Sequence, residues 1–325
     1  MDPLIQTAGR TRQHVRPLLL SLPGLILFAA APVGAVPGSP VRVVTLSPAL
    51  AAMVFEIGAG SELVGTVRYS RDPPAARRVP RVGDAFGLDL SRIVLLDPTW
   101  ILAWKGGTPA ADLASFKRLH LRVVTLGTGH VRGIAHELVT MGQLLGRIRQ
   151  ARRVADRFRA AVRSLRQRHR GRMRVRVFYE IGRHPLYTVG RDQIISRAIA
   201  LCGGVNLFSD VPHLAFPVSL ASVLTRDPGL IVVGHPRSVA FWKHFPEIAA
   251  VRDHAVDRIP PSLLAQASPR MLRGLRMLCR DISRARCPLS PPGASSAACG
   301  ARVPPGRPPR GGGRVRARTG GPRGG

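Results

Sequence analysis

The sequence lacks the common motifs of catalysis and nucleotide binding. It contains no Walker loop, no G-x-G-x-x-G after a strand pattern, no G-x-S-x-G and no His-Glu-x-x-His. No pair of carboxylates is positioned by a recognisable motif. The chain therefore offers no catalytic constellation, and its candidate functional residues are ones that bind a ligand.

Acidic residues are few, and lysines are fewer. The 325-residue chain has 49 Lys and Arg against 18 Asp and Glu, a formal net charge of +31, yet only Lys105, Lys117 and Lys243 are lysines. Such a charge ordinarily suggests nucleic acid or an anionic membrane. The near-exclusive use of arginine indicates a compositional bias instead. An arginine-rich nucleic-acid or interaction protein is kept as the remoter alternative.

No hydrophobic run is long enough for a comfortable membrane span. The N-terminal run at residues 18–31 is short and is broken by Pro23 and Gly24. Arginines precede this run and small residues follow it near Ala35, which is the arrangement of a secretory signal. We expect residues 1–35 to be removed during export, with an uncleaved anchor as the alternative.

Cysteine is also scarce, with four residues in the chain. There is no Cys-x-x-Cys and no nearby His pair, so a metal site is disfavoured. In an exported protein Cys202 and Cys279 become disulfide candidates. Cys287 and Cys299 flank or lie in residues 287–325, where almost half of the positions are Gly or Pro and no acidic residue occurs. We expect this tail to be disordered and its cysteines to be dispensable.

The longest helical pattern runs from residue 133 to 170. Apolar residues recur every three or four positions from Ile134 to Leu165. Gly142 and Gly146 are expected to kink or split the helix, which leaves a straight part at 147–169, about 35 Å long. The pattern has no sustained heptad, so a coiled coil is disfavoured. A helix this long between strand-rich segments predicts a connection between two lobes.

Strand and helix patterns alternate on both sides of this helix, at residues 41–132 and 171–286. This alternation predicts an α/β fold with two Rossmann-like lobes and parallel sheets. Ser47 and Ser268 are expected to cap helices. The predicted strands are 41–46, 63–67, 99–104, 122–126, 174–180 and 230–234, and the predicted helices are 48–57, 90–96, 109–120, 192–202, 219–226 and 269–283.

One stretch of sequence occurs twice. Residues 90–104, LSRIVLLDPTWILAW, parallel residues 220–234, LASVLTRDPGLIVVG, with the Asp-Pro pairs at Asp97 and Asp227 in register. Chance similarity between two helix-turn-strand units is one interpretation. The other is that the two lobes are pseudo-equivalent.

Aromatic residues make up only 5% of the chain, and several lie outside the core patterns. They fall in loops at the carboxyl ends of predicted strands, where open α/β sheets bind their ligands. Exposed aromatic faces gain most from stacking, so these residues predict a pocket for a large flat or apolar ligand, although ordinary packing is the alternative for each. The residues are Tyr69, Phe86, Trp104, Tyr187 and Phe216.

Five segments, in this order and spacing, carry a resemblance to a known family: VVTLSPALAAMVFEIGAG, ILAWKGG, PLYTVG, LCGGVNLF and SPRMLRGLRMLC. Over residues 41–283 the chain resembles the periplasmic cobalamin-binding proteins of ATP-driven uptake systems. Their wider class, in which one rigid helix joins two lobes, also holds siderophore and haem binders. The resemblance implies a binding protein without enzymatic activity or cofactor, acting as a monomer without nucleic acid. It would capture a corrinoid between its lobes and deliver it to a membrane ABC permease with its ATPase.

The resemblance also assigns roles to particular residues. Tyr69, Trp104 and Tyr187 match ligand-contact aromatics of the family, and Cys202 with Cys279 match its disulfide pair. Two further aromatics match less closely. The segment around Phe216 is one residue shorter than the family pattern, and the aromatic expected after Gly83 falls on Ala85, with Phe86 beside it.

Permease docking departs from the family pattern. Each lobe in the family offers a glutamate to arginines of the permease, and the equivalent positions here are Ser91 and Ala221. Asp89 could replace the first glutamate, whereas nothing adjacent replaces the second.

Siderophore or haem is the alternative ligand on the same fold. A haem site would require an axial His or Tyr ligand, and Tyr69, His184 and His213 are the candidates. The nucleic-acid alternative would need a basic stripe interleaved with stacking aromatics, and in this chain the two do not coincide.

Overall fold

The structure is a computed structural model that describes residues 40–84, 86–127 and 129–287. The predicted signal at residues 1–35, the tail beyond residue 287, Ala85 and Cys299 lie outside the described residues. Within the described ranges no helix is both long enough and apolar enough to cross a membrane.

The first lobe is built on a four-stranded parallel sheet with the strand order β2-β1-β3-β4. Ser47 caps α1 by accepting a hydrogen bond from Ala49 N at 3.2 Å, and Pro48 occupies the first turn, as the sequence predicts. The elements are β1 (Val43–Thr45), α1 (Pro48–Glu56), β2 (Leu63–Thr66), α2 (Leu90–Leu95), β3 (Trp100–Trp104), α3 (Ala110–Arg118) and β4 (Val123–Leu126).

The connecting segment consists of two helices, α4 (Ile134–Leu144) and α5 (Ile148–His169). They are separated at Gly146, whose φ of 66° is a left-handed conformation that favours glycine. A Cβ on Gly142 would lie 2.3 Å from the Ala151 side chain, so glycine is also needed where the two helices touch. The predicted split of the long helical pattern is confirmed, and α5 is its straight part.

The second lobe contains a six-stranded sheet with the path β10-β9-β5-β6-β8, to which β7 is added beside β5. Its elements are β5 (Val175–Arg183), β6 (Leu186–Val189), α6 (Ile194–Leu201), β7 (Gly204–Asn206), β8 (Ala215–Pro217), α7 (Leu220–Arg226), β9 (Leu230–Val233), α8 (Pro236–Trp242), α9 (Ala249–Arg252), β10 (Val256–Arg258), α10 (Pro261–Leu264) and α11 (Met271–Ala285).

This second sheet is mixed, whereas the sequence predicted only parallel strands. β6 and β8 are antiparallel to their neighbours. Only two residues join β5 to β6, and a connection this short permits antiparallel pairing alone. Tyr187 and Phe216, expected in loops, therefore lie within strands β6 and β8.

The predicted cap at Ser268 is wrong. Helix α11 begins at Met271, and its N-cap residue Arg270 makes no side-chain cap bond. The Ser268 carbonyl accepts from Met271 N at 2.9 Å, which places Ser268 in a turn before the helix. Its hydroxyl is buried without a hydrogen-bond partner in the part of the chain that is described.

The repeated sequence adopts the same backbone geometry twice. Asp89 and Ser219 cap α2 and α7 by accepting from the backbone N–H three residues ahead, at 2.9 and 3.1 Å. Asp97 and Asp227, which follow those helices, both have a φ of 41°. Because left-handed backbone is uncommon for a residue other than glycine, this agreement supports a structural repeat over chance similarity.

A single buried cluster reaches both sheets. It contains Val43 and Leu102 of the first sheet, Phe158 of α5, and Val177 and Ile231 of the second sheet. A smaller cluster covers the other face of the first sheet, around Ile101 and Phe116. The connecting helices are thus part of the interior of both lobes.

The disulfide between Cys202 and Cys279 is present, with a Cα–Cα distance of 4.6 Å. It links the end of α6 to α11, and both cysteines are buried. The bond closes a loop whose ends are 77 residues apart in sequence. Cys287, at the end of the described residues, is also disulfide-bonded.

We predict that the double change Cys202→Ala with Cys279→Ala lowers the free energy of unfolding by roughly 4 kcal/mol, because the unfolded chain gains the entropy of a long open loop. Denaturant unfolding of the oxidised proteins measures this difference. The matched double change Cys287→Ala with Cys299→Ala should lower the free energy of unfolding much less. Equal losses in the two double variants would contradict the prediction.

Candidate functional site

A cavity of about 590 Å³ lies at the carboxyl ends of the strands of the first sheet. The segments that follow β1, β2, β3 and β4 all contribute to its lining, which is the position that open α/β sheets use for ligands. The second lobe contributes residues 192–194, 214–215 and 265–267. The cavity is therefore bounded by both lobes.

Trp104 is the main aromatic surface of this cavity. It ends β3, lines the cavity and leaves 46% of its side chain exposed. A Cβ on Gly107 would fall 1.8 Å from the indole, and one on Gly127 would fall 3.0 Å from it. Only glycine at these two positions lets the backbone approach the ring so closely. The ring is thus held from two sides while one face stays open.

The turn after Trp104 fixes the direction of its backbone. Trp104 N donates to Thr108 Oγ1 at 3.0 Å, and Thr108 N donates to the Trp104 carbonyl at 2.9 Å. Gly106 in this turn has a φ of 82°. The sequence Trp-Lys-Gly-Gly-Thr is therefore a closed turn that presents an indole.

Tyr69 lies in the loop after β2 and also lines the cavity. Its side chain is 62% exposed and its φ of 70° is unusual for an aromatic residue. Arg81 holds the surrounding loop by donating from Nη2 to the Ser70 and Ala76 carbonyls at 3.0 and 3.1 Å. The loop thus compensates for a backbone conformation that costs of order 1 kcal/mol.

The other three aromatic candidates lie outside the lining of the cavity. Phe86 is 99% exposed, beyond a turn in which its N–H donates to Asp84 Oδ1 at 2.9 Å. Tyr187 lies on β6 opposite Pro217. Phe216 is half-buried and packs edge-on against Phe208, with 5.7 Å between ring centroids. The structure thus brings together Tyr69 and Trp104 from the predicted set.

The wall from the second lobe is made of small and aliphatic residues. No aromatic side chain of the described second lobe is among the lining residues, which there are Asp192, Gln193, Ile194, Leu214, Ala215, Ala265, Gln266 and Ala267. The cavity therefore has one wall with aromatic side chains, from the first lobe, and one wall without them, from the second lobe.

Glu137 is a lining residue that the sequence analysis missed. It lies in the first turn of α4, is only 7% exposed, and accepts a hydrogen bond from Gly127 N to Oε1 at 2.8 Å. Burial raises the pKa of Glu137 to about 7, and the Gly127 N–H opposes this rise. A signal was present: Glu137 stands on the apolar stripe of α4, between buried Ile134 and Met141.

The predicted docking positions are at the surface. Ser91 and Ala221 are exposed in the first turns of the equivalent helices α2 and α7. Asp89 is exposed too, but its Oδ1 accepts from Arg92 N as the cap of α2. Of the three residues considered as axial haem ligands, Tyr69 lines the cavity, whereas His184 and His213 are exposed outside its lining.

The chain matches the family described as periplasmic binding protein over residues 43–255. The vitamin B12-binding protein of Yersinia pestis (strain Pestoides F) is 31% identical over 255 residues, which are 77% of this chain and 89% of that protein. The crystal structure of the periplasmic vitamin B12 binding protein BtuF of Vibrio cholerae aligns with a TM-score of 0.72 at 26% identity. It covers 75% of this chain and 97% of that one.

A likeness in fold extends to haem binders. The periplasmic heme-binding protein RhuT from Roseiflexus sp. RS-1 aligns with a TM-score of 0.68 at 20% identity, over 76% of this chain and 99% of that one. At this identity the similarity concerns the fold alone.

We predict that Glu137→Gln stabilises the protein at alkaline pH but not at acidic pH. In the folded protein the carboxyl has a pKa of about 7, above its ordinary 4.5, so its contribution to stability is present below pH 4.5 and is lost as the pH rises through 7. The gain from Gln should approach, at most, roughly 3 kcal/mol above pH 8. Melting temperatures of both proteins between pH 4 and pH 9 measure it, and a difference independent of pH would contradict the prediction.

Proposed function

This chain belongs to the periplasmic binding protein family, and on that premise we propose that it captures cobalamin or a related corrinoid in the cavity between its lobes. The family consists of solute-binding proteins, so the chain is a binding protein and not an enzyme. The observation that carries the proposal is the indole of Trp104, fixed by Gly107 and facing a cavity that Tyr69 also lines.

The chemistry of the cavity suits a corrinoid. A corrin is a broad, mostly apolar ring whose edge carries amide groups. Its faces gain from stacking on an aromatic surface, and its amides need a few polar partners around a mainly apolar pocket. Trp104 and Tyr69 offer the aromatic surface, the alanines at 215, 265 and 267 leave room for a thick ligand, and Gln193 and Gln266 offer amide groups.

We take the first lobe as residues 41–132, the connecting segment as 133–170 and the second lobe as 171–286. Because the connecting helices share one buried cluster with both sheets, ligand capture should involve little closure of the lobes. This contrasts with hinge-type binding proteins, which close around their ligands.

The family also supports a proposal for the place of capture and for the delivery partner. The family and the two solved structures quoted above are described as periplasmic, which supports export through the predicted signal at residues 1–35. A periplasmic binding protein hands its ligand to a membrane ABC permease driven by an ATPase. We include that partner in the proposal, with the protein acting as a monomer.

The absorption spectrum of the purified protein, recorded before and after adding cobalamin and removing unbound ligand, tests the proposal. Retained corrin bands in a one-to-one ratio are expected. A Soret band after addition of haem, without retention of cobalamin, would instead favour the haem alternative, for which Tyr69 offers an axial oxygen inside the cavity. Retention of neither ligand would contradict both assignments.

We predict that Trp104→Ala weakens cobalamin binding about tenfold or more, because it removes the stacking surface of the cavity. The apo melting temperature should change little, since this half-exposed ring supports little of the core. Calorimetric titration measures the affinity. Unchanged affinity, or a variant that fails to fold, would assign Trp104 to packing.

The remaining aromatics provide matched comparisons. Tyr69→Ala should also weaken binding, because Tyr69 lines the same cavity. The resemblance predicts weaker cobalamin binding for Tyr187→Ala, and Phe86→Ala tests the aromatic that stands beside the family position at Ala85. The places of Tyr187 and Phe86 outside the lining of the cavity predict unchanged affinity for both variants. Titration of these two variants decides whether the bound ligand extends beyond the cavity.

We predict weak docking to a permease that presents arginines in the way typical of the family. Ser91 and Ala221 carry no charge, and paired charges steer association and fix orientation. The double change Ser91→Glu with Ala221→Glu should strengthen docking, and added salt should abolish the gain. Surface plasmon resonance against such a permease in nanodiscs measures both effects.

A control separates the local effect from the reduction in net charge. Ala160→Glu with Gln167→Glu adds the same charge on the exposed face of α5, where no docking is expected. Tight docking by the unmodified protein, or an equal gain from this control, would show that charges at positions 91 and 221 do not matter.

A further inference from the structure

Glu137 combines three properties that its role in the fold does not explain. The residue is 93% buried, it lines the ligand cavity, and it lies on the otherwise apolar face of α4. Burying a carboxyl group is costly unless it is paired or neutral. Packing alone would be served better by an apolar residue at this position, so the carboxyl group itself needs an explanation.

The surroundings contain charged groups, and among the described residues no ion pair to Glu137 is formed. The causes of its raised pKa are burial and, in opposition, the Gly127 N–H, with no contribution from a charged side chain. Two charged groups at the cavity have ion-pair partners other than Glu137. Arg68 Nη1 lies 3.5 Å from Asp84 Oδ2, and Arg191 Nε lies 3.8 Å from Asp192 Oδ1. Among the described residues, the titratable and charged groups near Glu137 include His130, Arg132 and His136 beside it, Arg159 of α5, which donates to the Ala135 carbonyl, and Arg68, Tyr69, Asp84, Lys105 and Asp192 around the cavity.

The hydrogen bond from Gly127 determines which oxygen carries the proton. Oε1 accepts from Gly127 N at 2.8 Å, and in a carboxylic acid the carbonyl oxygen is a stronger acceptor than the hydroxyl oxygen, so Oε1 is favoured as the carbonyl oxygen. In the neutral acid the proton then resides on Oε2. Oε1 retains a second lone pair, so the group offers one donor and one acceptor side by side.

This arrangement is complementary to a primary amide. The amide carbonyl accepts from Oε2–H while the amide NH₂ donates to Oε1, which closes a ring of two hydrogen bonds. A corrinoid carries several such amides on its edge. We propose that neutral Glu137 pairs with one amide side chain of the bound corrinoid, so that capture of the ligand takes up a proton. This inference rests on the proposed function of cobalamin capture.

The pairing has a definite pH dependence. A ligand over the cavity removes the remaining water from Glu137, which disfavours the ionised form further. Ionisation also removes the Oε2–H donor. Affinity should therefore be highest in acid and should fall as the pH rises through the pKa of the unoccupied site, by at most about tenfold per pH unit.

Cobalamin titrations of the wild-type protein and Glu137→Gln between pH 5.5 and pH 8.5 test the proposal. Gln keeps the shape and the donor–acceptor pair but does not titrate, so its affinity should stay near the acidic wild-type value at every pH. Glu56→Gln, the same change at an exposed position on α1, should keep the wild-type pH dependence. A wild-type affinity that is independent of pH, or an equal slope in Glu137→Gln, overturns the proposal.

Calorimetry provides a readout that does not depend on a variant. Wild-type titrations at pH 7 in buffers of different ionisation enthalpy should reveal net proton uptake, and absence of uptake overturns the proposal even if Glu137→Gln fails to fold. Failure of the proposed function would look different. A folded wild-type protein that retains no cobalamin at any pH overturns both inferences, whereas binding without proton linkage overturns only this one.

Discussion

The buried face of α5 is the constraint on which the rest of the structure depends. Phe158 and Val162 belong to the same cluster as Val43 of the first sheet and Val177 of the second. Protein interiors are close-packed, so a rotation of one sheet against the other would have to open gaps or force clashes along this helix. The width of the cavity is therefore set by the fold, and the choice of ligand rests on the residues that line it.

The backbone prepares the aromatic wall before any ligand arrives. Gly107 and Gly127 confine the indole of Trp104, and the loop around Tyr69 holds the backbone of this residue in the left-handed conformation. Side chains already held in place lose little conformational freedom when a ligand stacks on them. The opposite wall uses small residues such as Ala265, whose contribution is space. A wall with aromatic side chains facing a wall without them suits a ligand with one broad apolar face and a bulky second side.

Elements with a complete local signal were predictable from the sequence. Ser47 with Pro48 predicted the start of α1, and Gly146 predicted the break before α5. The errors that concern the aromatic residues arise because strand pairing and side-chain packing are not written in the local pattern. The hairpin that places Tyr187 in a strand depends on pairing with β5 and β8, and only the fold shows that Phe216 packs on Phe208. The disulfide pairing was expected through family resemblance rather than from spacing.

Glu137 is a residue of the candidate site that the apolar pattern of α4 does not reveal. It also suggests how a binding protein with little lobe movement can regulate its affinity. In the sequence, Glu137 only interrupts the apolar face of α4, because the sequence does not show that a cavity lies beside this residue. With one buried cluster reaching both lobes, we expect opening and closing to contribute little to capture or release. Control of affinity then falls to groups inside the cavity whose state can change. A buried carboxyl poised near neutrality is such a group, because a single proton changes both its charge and its hydrogen-bonding pattern.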